Sequence, residues 1–323
     1  MRHSTVSSLG ERALIARIAS RLAMPPWVAV GPGDDAAVIK PARGTFDVLT
    51  TDALVDGIHF DLRFTPPDAV GHRALAVNLS DLAAMGAEPR AALLSLLLPD
   101  DLDVGTIDGI VDGMLALAAR YHVALVGGNV TRTTGPLAID VTATGSVRPR
   151  RVLRRAGARP GDEVYVTGTV GAAAAGLAVL KAGGTAAGAA VHGVERYLRP
   201  DPRVRIGMLL GRNRAASSCM DTSDGLADAV RQVAEASDVG ITIDGKSLPV
   251  DGGSIEPAIT AGDDYELLFT VRPSHRGRLR SVRKQAGDLP ITKIGVVTKG
   301  RELLLRDELG TRELPGGYEH FRT

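Results

Sequence analysis

Five short acidic motifs carry the side chains of this chain that are best suited to chemistry. They are Gly33-Asp34-Asp35, Thr50-Thr51-Asp52, Leu79-Ser80-Asp81-Leu82, Asp221-Thr222-Ser223-Asp224-Gly225 and Gly262-Asp263-Asp264-Tyr265-Glu266. Carboxylates that converge in one cleft repel each other unless cations lie between them, and such oxygen ligands select Mg²⁺ or Ca²⁺. Mg²⁺ held by a few carboxylates usually accompanies the phosphates of a nucleotide. The motifs therefore indicate a metal-dependent phosphate site.

Aspartate is also a common helix cap and turn former, so any one of these motifs alone is typical of an ordinary turn. The motifs share a position, however, because they follow strand-like runs such as FDVLT or precede helix-like runs such as LADAV. Side chains at such places project from the ends of elements. Five motifs of one style favour the metal interpretation.

Hydrophobic periodicity predicts the elements that position these motifs. Helical spacing covers residues 11–23, 68–85, 104–121, 171–180 and 224–236. The strand-like runs are FDVLT, AALLSLLL, VALVGG, LAIDVTATG, VYVTG, GITID, YELLFTV and ITKIGVV. Because helices and strands alternate, the fold class that we predict is α/β, with α+β layers.

The length of the chain predicts two domains. Its 323 residues exceed the usual limit for a single hydrophobic core. A basic, turn-rich stretch, RPRRVLRRAGARPGD, lies in the middle of the sequence and marks the junction. We therefore expect one domain over residues 1–147 and a second over residues 148–323.

Bulk composition excludes several classes of protein. With 38 basic and 37 acidic residues the net charge is +1, which gives no field that favours nucleic acid or an anionic membrane. The single cysteine, Cys219, excludes an intramolecular disulfide and a cysteine-rich zinc site. The N-terminal region lacks the apolar core of a signal peptide, and AALLSLLL is too short to span a bilayer. We expect a soluble cytoplasmic protein with neither nucleic acid nor membrane as a partner.

One apparent phosphate-binding loop is rejected. The segment GITIDGKS at residues 240–247 matches G-x-x-x-x-G-K-[ST]. A working loop of this kind follows a strand and begins a helix at its lysine, which aims backbone N–H groups at the phosphates. Here ITID alternates like a strand itself, and the LPVDGG that follows cannot form the helix. The segment is therefore predicted to be a strand and its turn.

Two weaker signals can each be interpreted in two ways from the residues alone. The turn Gly168-Thr169-Val170-Gly171 precedes an alanine-rich helix, so it could receive an anion or simply be a packing turn. His59 follows the Asp52 motif by a few residues, where a ligand contact and an ordinary surface or core histidine are about equally expected.

The motifs occur in an order that resembles a known family. The most specific block is ALAVNLSDLAAMGAEP, and it is accompanied by GPGDDAAV, TTDALVDGIHF, DTSDGLADAV and GDDYELLFTV. Together they resemble the thiamine-monophosphate kinases, which belong to the superfamily that includes aminoimidazole ribonucleotide synthetase. The resemblance runs from GERALIARIA to the terminal GGYEHF.

The resemblance implies a fold, a reaction and partners. It implies a two-domain synthetase-like fold, in which the N-terminal domain binds ATP and Mg²⁺ and pairs its sheet across a homodimer, while the C-terminal α/β domain closes the cleft. It also implies that ATP phosphorylates thiamine phosphate to thiamine diphosphate, the final step of thiamine diphosphate biosynthesis.

Residue roles are implied position by position. The metal-binding places of the family match Asp35, Thr50, Thr51, Asp52, Asp81, Asp221 and Asp224. Nucleotide contacts match Arg155 and Ser223, and contacts to thiamine phosphate match His59, Asp263 and Tyr318. One position departs from the family, because Asn129 stands where many members have an aspartate ligand after two glycines. Asn129 could still bind Mg²⁺ through its neutral oxygen.

The implied chemistry needs no general base, because a phosphate oxygen of the acceptor is already ionised near neutral pH. Phosphoryl transfer then depends mainly on positioning and charge neutralisation, which several Mg²⁺ ions held by Asp would supply. Related selenophosphate synthetases and hydrogenase-maturation proteins use terminal cysteines, which this chain lacks. A purine-biosynthetic synthetase and a non-catalytic nucleotide-binding regulatory protein remain as alternatives.

Overall fold

The computed structural model of the protein describes residues 5–183, 189–251 and 254–318, so the end of the GGYEHF run lies outside the described residues. The chain divides into two compact units, Met1–Leu79 with Pro89–Ser146, and Ser80–Glu88 with Val147–Thr323. Both units combine sheets with helices, which confirms the α/β class. The boundary between residues 147 and 148 stays a prediction.

The first unit contains two sheets and most of four helices. The helices are α1 (Val6–Leu9), α2 (Glu11–Ala19), α3 (Pro67–Ala84) and α4 (Val104–Tyr121). The strands are β1 (Val28–Val30), β2 (Val38–Ile39), β3 (Phe46–Val55), β4 (Glu88–Leu98), β5 (Ala124–Arg132) and β6 (Ala138–Val147). Strands β1 and β2 pair with each other, and the others form a four-stranded sheet in the order β3-β6-β4-β5. The last residues of α3, from Ser80 onward, are grouped with the second unit.

Helix α4 shows how local sequence sets an element. Asp103 caps its start by accepting a hydrogen bond from the N–H of Gly105 at 2.9 Å, and His122 ends it in the left-handed conformation. Gly71 of α3 lies so close to α4 that an added Cβ would come within 1.7 Å of the Ile110 carbonyl oxygen. This glycine therefore allows α3 and α4 to pack backbone against backbone.

The four-stranded sheet exposes apolar side chains on one face. Side chains on a strand alternate between faces, and on β4 the positions of Leu94 and Leu96 are buried while Leu93 is exposed. On the same face as Leu93, the hydroxyl of Thr51 on β3 hydrogen-bonds with the side chains of Asp140 and Thr142 on β6. Polar and apolar groups thus share this surface.

The second unit is built on a seven-stranded sheet. Its helices are α5 (Ala172–Lys181), α6 (Ala189–Leu198), α7 (Val204–Asn213), α8 (Leu226–Ser237), α9 (Ile255–Thr260) and α10 (Arg276–Ala286). Its strands are β7 (Glu163–Thr167), β8 (Ser218–Asp221), β9 (Gly240–Asp244), β10 (Leu267–Val271), β11 (Ile291–Thr298), β12 (Leu303–Asp307) and β13 (Gly310–Glu313). The strand order is β13-β12-β9-β11-β7-β10-β8.

The core of the second unit packs α8 against this sheet. Val230 and Val233 of α8 are buried in one cluster with Ile241 of β9 and Leu268 of β10. The ends of β8 and β10 therefore hold the two acidic loops 221–225 and 262–266 at fixed places beside α8.

The rejected phosphate loop is confirmed as a strand and a turn. Residues Gly240–Asp244 form β9, which pairs with β11 and β12, and Gly245–Ser247 form a short 3₁₀ turn. In the part of the chain that the structure describes, no helix is both long and apolar enough to cross a membrane.

Candidate active site

A cavity in the first unit collects two of the residues proposed as metal ligands. It has a volume of about 840 Å³, and both Asp35 and Asn129 line it. Its lining includes Ile15 and Ile18 of α2, and on the sheet both apolar residues such as Leu93 and polar residues such as Asp140. Asp35 comes from the loop between β1 and β2, and Asn129 lies on β5 beside Ser95 of β4.

Strand β3 separates the three residues of the Thr50-Thr51-Asp52 motif. Thr51 projects onto the cavity face, where its hydroxyl lies 3.1 Å from the Asp140 carboxylate. Because neighbours on a strand point to opposite faces, Thr50 and Asp52 lie on the other side of the sheet from Thr51. The motif therefore places its side-chain oxygen atoms on two surfaces of this unit.

His59 has a defined tautomer. The N–H of Val55 donates to Nδ1 of His59 at 3.1 Å, within a turn closed by Gly57 N–H donating to the Phe60 carbonyl at 2.7 Å. When Nδ1 accepts a hydrogen bond, the neutral ring carries its hydrogen on Nε2. In that tautomer, Nε2–H of His59 is a hydrogen-bond donor.

Asp221 is a buried carboxylic acid whose surroundings disfavour its charged form. It is buried at the end of β8, where Ser80 Oγ donates to Oδ2 at 2.7 Å and Ser223 Oγ donates to Oδ1 at 3.3 Å. Burial, followed by the negative charge of Asp81, raises the pKa of Asp221 well above the ordinary value. The seryl donors and the charge of Arg155 partly offset this rise. Asp221 and Asp81 are therefore close enough to interact.

Arg155, a proposed nucleotide contact, is held by helix α8. Its guanidinium donates to Oε1 of Gln232, and Nε2 of Gln232 in turn donates to Oδ2 of Asp228 at 2.5 Å. Gln232 and Asp228 are one turn apart on α8, so this chain of hydrogen bonds fixes the exposed guanidinium against the helix.

The loop 262–266 is tied to the loop 221–225. The N–H of Asp263 donates to the carbonyl of Ser223 at 2.8 Å, and Thr222 and Glu266 exchange hydrogen bonds at 2.9 and 3.0 Å. An added Cβ on Gly262 would lie 2.3 Å from the Ser223 carbonyl oxygen, so the two backbones touch. The proposed substrate contact Asp263 and the proposed nucleotide contact Ser223 are thus adjacent.

The turn Gly168–Gly171 is a packing turn, and an internal carboxylate occupies the start of α5. Asp264 accepts hydrogen bonds from the N–H of Gly171 at 2.6 Å and of Ala173 at 3.1 Å. Burial raises the pKa of Asp264 to about 6, against the lowering effect of these two donors. Since Asp264 fills the N-terminus of α5, the turn is not an anion site for a ligand.

Tyr318, the last residue that the structure describes, lies beside the loop 221–225. Its N–H donates to the carbonyl of Asp224 at 3.1 Å. Gly317 lies against α8, where an added Cβ would come within 2.5 Å of the Asp228 Cβ. The ring of Tyr318 borders a cavity that Asp228 and Arg231 also line.

The proposed site residues therefore fall into two groups, one in each unit. The first unit holds Asp35, Thr50, Thr51, Asp52, His59 and Asn129, and the second holds Asp81, Arg155, Asp221, Ser223, Asp224, Asp263 and Tyr318. Within residues 5–183, 189–251 and 254–318, no group of three or more His, Cys, Asp or Glu side chains could hold a metal ion. A cation here would thus need hydroxyl, amide or phosphate oxygens as well.

Sequence reasoning missed the residues that hold these groups in place. Ser80 and Glu266 lie inside the acidic motifs, but no role was predicted for either residue. The available signal was that both are polar side chains within those motifs, and both form hydrogen bonds in the structure. Gln232 and Arg203 lie outside every motif. No sequence signal marked Gln232, which lies on α8, or Arg203, which precedes α7.

Two family models match the chain. The model described as "AIR synthase related protein, N-terminal domain" covers residues 33–147, and "AIR synthase related protein, C-terminal domain" covers residues 159–308. The chain is therefore an AIR synthase related protein with both domains of that class.

Similar proteins identify the family within this class to which the chain belongs. A thiamine-monophosphate kinase of Escherichia coli (strain K12) is 40% identical over 97% of this chain and 99% of its own length. The crystal structure of thiamine-monophosphate kinase from Stenotrophomonas maltophilia K279a matches with a TM-score of 0.80 and 39% identity, over 90% of this chain and 95% of that chain. AaThiL complexed with AMPPCP and TMP matches with a TM-score of 0.77 and 32% identity, over 99% of each chain. The chain belongs to the thiamine-monophosphate kinase family, and the resemblance read from its motifs is confirmed.

Proposed function

We propose that this chain is an enzyme that transfers the terminal phosphoryl group of ATP directly to thiamine phosphate, with Mg²⁺ as the cofactor, and yields thiamine diphosphate as the last step of its biosynthesis. The observation that carries the proposal is the near full-length likeness to thiamine-monophosphate kinases, one of which was crystallised with AMPPCP and TMP. Because ATP is the co-substrate, we place the reaction in the cytoplasm.

The donor side of the reaction belongs to the loop 221–225 and to Arg155. Ser223 lies two residues before Gly225, the N-cap of helix α8, and the N-terminal N–H groups of a helix favour an anion. Arg155, fixed through Gln232, supplies a positive charge near Asp221. We assign both residues to the nucleotide, where they would bind and orient the phosphates.

The acceptor side belongs to His59, Asp263 and Tyr318. His59 presents Nε2–H as a donor, which suits the phosphate of the acceptor. Asp263 provides a carboxylate for the cationic thiamine portion, and Tyr318 provides a half-exposed ring that can pack against it. None of these residues needs to remove a proton, because the accepting phosphate oxygen is already ionised.

The described donor set fits Mg²⁺. Burial, and then the charge of Asp81, raises the pKa of Asp221, and a divalent cation would relieve the repulsion between the two carboxylates. We assign several Mg²⁺ ions to Asp35, Thr50, Thr51, Asp52, Asp81, Asp221 and Asp224, with Asn129 as a neutral ligand. All of these side chains offer oxygen donors. When bound, Mg²⁺ would neutralise phosphate charge and help to align the donor and acceptor oxygens.

We also propose that the chain forms a homodimer through the open face of the four-stranded sheet. Leu49 and Leu93 are 70% and 42% exposed, and the strand alternation places both on the face that carries Thr51. Exposed apolar groups on a sheet favour association with a second surface. Sedimentation analysis should give twice the mass of the chain, and replacing Leu49 and Leu93 by Asp should give the monomer.

The proposal is tested by supplying candidate acceptors to the purified protein with ATP and Mg²⁺. Thiamine phosphate, free thiamine and aminoimidazole precursors should be compared by ADP release. Turnover of the aminoimidazole precursor alone would support the purine-biosynthetic alternative, and no turnover at saturating Mg²⁺ would support a regulatory protein.

A further inference from the structure

The loop 262–266 holds two non-glycine residues in a backbone conformation that side chains rarely adopt. Asp263 has φ +75° and Tyr265 has φ +50°. Such residues persist only where the surroundings fix them, and they concentrate at functional sites. The direction of the Asp263 carboxylate therefore depends on whatever holds its neighbours.

The residue between them, Asp264, is held at both its side chain and its backbone. Its carboxylate accepts from the N–H groups of Gly171 and Ala173 at 2.6 and 3.1 Å. Its carbonyl oxygen accepts from the guanidinium of Arg196 at 2.7 Å. Asp264 cannot rotate without breaking these three hydrogen bonds.

The residue after them, Glu266, is the centre of a buried ion cluster that also includes Arg196 and Arg203. Glu266 is fully buried. Arg196 donates to Oε1 at 2.7 Å, and Arg203 donates to both carboxylate oxygens at 2.5 and 2.7 Å. Thr167 adds a hydroxyl donor at 2.6 Å. The carboxylate is thus fully bonded from three elements of the unit.

Arg196 connects these two supports. The same guanidinium nitrogen bonds to the Asp264 carbonyl and to the Glu266 carboxylate. Gly168 leaves room for the cluster, because an added Cβ there would lie 2.0 Å from Glu266 Oε1. The ion cluster therefore fixes the backbone on one side of Tyr265, and the Asp264 bonds fix it on the other.

We propose that Glu266, Arg196 and Arg203 are positioning residues that set the direction of the Asp263 carboxylate toward the thiamine portion of the acceptor. This proposal rests on the proposed function, which assigns Asp263 to that acceptor. It adds a positioning role for residues that do not touch the substrate. Loss of the cluster leaves Asp263 present but free to leave its left-handed conformation, so binding of the acceptor weakens.

The nucleotide side should be affected less. Asp263 and Ser223 are joined by a hydrogen bond, but the loop 221–225 also has its own supports in β8, α8 and Ser80. A positioning role thus predicts a selective change in acceptor affinity, whereas a merely structural role predicts lower stability with unchanged affinities.

Glu163 offers a matched control. It is also a buried carboxylate, bound by Arg276 at 2.6 Å, Lys293 at 2.7 Å and a hydroxyl, that of Tyr165, at 3.0 Å. Glu163 lies at the opposite end of its strand from the loop 262–266, because it pairs with Val271 of β10. Glu163→Gln therefore measures how much stability is lost when a buried ion cluster is removed without disturbing Asp263.

The experiment compares Glu266→Gln, Glu163→Gln and wild-type protein. For each we would measure the melting temperature, the KM for thiamine phosphate and for ATP, and thiamine phosphate binding by calorimetry with a non-hydrolysable ATP analogue present. We expect Glu266→Gln to raise both the KM and the Kd for thiamine phosphate at least tenfold and the KM for ATP less than threefold. Glu163→Gln should lower the melting temperature by a similar amount and leave both KM values within twofold.

Arg203→Lys keeps the positive charge but loses the two-pronged contact, and it replaces Glu266→Gln in the comparison if that variant does not fold. It should raise the KM for thiamine phosphate by a smaller factor than Glu266→Gln. The proposal is overturned if Glu266→Gln, or Arg203→Lys in its place, leaves acceptor affinity unchanged, if both substrates weaken equally, or if Glu163→Gln gives the same selective loss. A wild-type protein that neither binds nor phosphorylates thiamine phosphate would overturn the proposed function as well, which distinguishes the two failures.

Discussion

Ser80 Oγ donates a hydrogen bond to Oδ2 of Asp221 at 2.7 Å, and both residues are buried. Ser80 directly precedes Asp81, whose charge acts on the same carboxylate. Two neighbouring residues of helix α3 thus have opposite effects on Asp221. The hydrogen bond from Ser80 stabilises its ionised form, and the charge of Asp81 destabilises that form. Under the proposed function, a cation bound between Asp81 and Asp221 would relieve this repulsion and favour the ionised form of Asp221.

The first prediction concerns a variant that lacks the Ser80 hydroxyl. Ser80→Ala leaves Asp221 with less hydrogen bonding to its charged form, so its pKa should rise and its affinity for Mg²⁺ should fall. We expect the Mg²⁺ concentration for half-maximal activity to increase severalfold, with a stability loss of about 1–3 kcal/mol. Activity as a function of Mg²⁺ concentration and urea unfolding measure the two effects.

Ser218→Ala is the control for Ser80→Ala. Ser218 is also buried, and its hydroxyl makes a 2.7 Å hydrogen bond with Thr270. It should lose similar stability and keep the wild-type Mg²⁺ dependence. An unchanged Mg²⁺ dependence in Ser80→Ala would show that the Ser80 hydroxyl does not support a metal ligand.

The second prediction concerns the segment Gly240–Ser247. Lys246 is exposed in a 3₁₀ turn, with Nζ 3.9 Å from a carboxylate oxygen of Glu308. Lys246→Ala should therefore leave ATP affinity within a few-fold of wild type, while Arg155→Ala should reduce it. A hundredfold loss in Lys246→Ala, about 2.7 kcal/mol, would mean that the segment does bind nucleotide.

The third prediction concerns the neutral amide of Asn129. Asn129 and Asp35 line the same cavity, so a carboxylate at 129 would add one unit of attraction for Mg²⁺, partly screened by solvent. Asn129→Asp should lower the Mg²⁺ concentration needed for half-maximal activity. It should lower activity instead if Asp140, which also lines this cavity, already supplies the charge. Superimposable Mg²⁺ titrations of the two proteins would place residue 129 outside the metal shell.

The fourth prediction concerns acid stability. Hydrogen bonds from Arg276, and then from Lys293 and Tyr165, lower the pKa of Glu163 from 4.5 to about 2, against the effect of burial. Since the folded pKa lies below the unfolded one, the stabilisation is present above pH 4.5 and is lost as the pH falls toward 2. It amounts to at most about 3 kcal/mol, reduced by screening because Arg276 and Lys293 are half-exposed or more.

Urea unfolding of wild type and Glu163→Gln between pH 6 and 3 measures this contribution. The difference between the two proteins should be largest near pH 6 and should shrink as the solution is acidified, because the neutral amide of the variant does not take up a proton in this range. A difference that stays constant from pH 6 to 3 would contradict the assigned pKa.

Local sequence signals predicted the elements whose own residues define their ends. Helix α4 was placed at its observed bounds because its apolar residues repeat regularly. Helix α10 was missed, because only Leu279 and Val282 are buried in a helix that is otherwise strongly charged. Strand β8 was missed because it has four residues, all buried, and no alternation.

The contacts within the candidate site could be predicted only in part. The motifs indicated Asp221 and Asp263, but the bond between Asp264 and Gly171 joins residues 93 positions apart. The ion cluster of Glu266 likewise depends on Arg196 and Arg203, which come from the region of α6 and α7. Such contacts follow from packing of distant segments, which periodicity and motif spacing do not encode.

The most direct test of the account is the identity of the phosphoryl acceptor. Purified protein should be incubated with ATP, Mg²⁺ and either thiamine phosphate or free thiamine, and the products should be separated by chromatography. The account predicts thiamine diphosphate and an equal amount of ADP from thiamine phosphate, and little product from free thiamine. Equal or faster turnover of free thiamine, or ADP release without thiamine diphosphate, would contradict it.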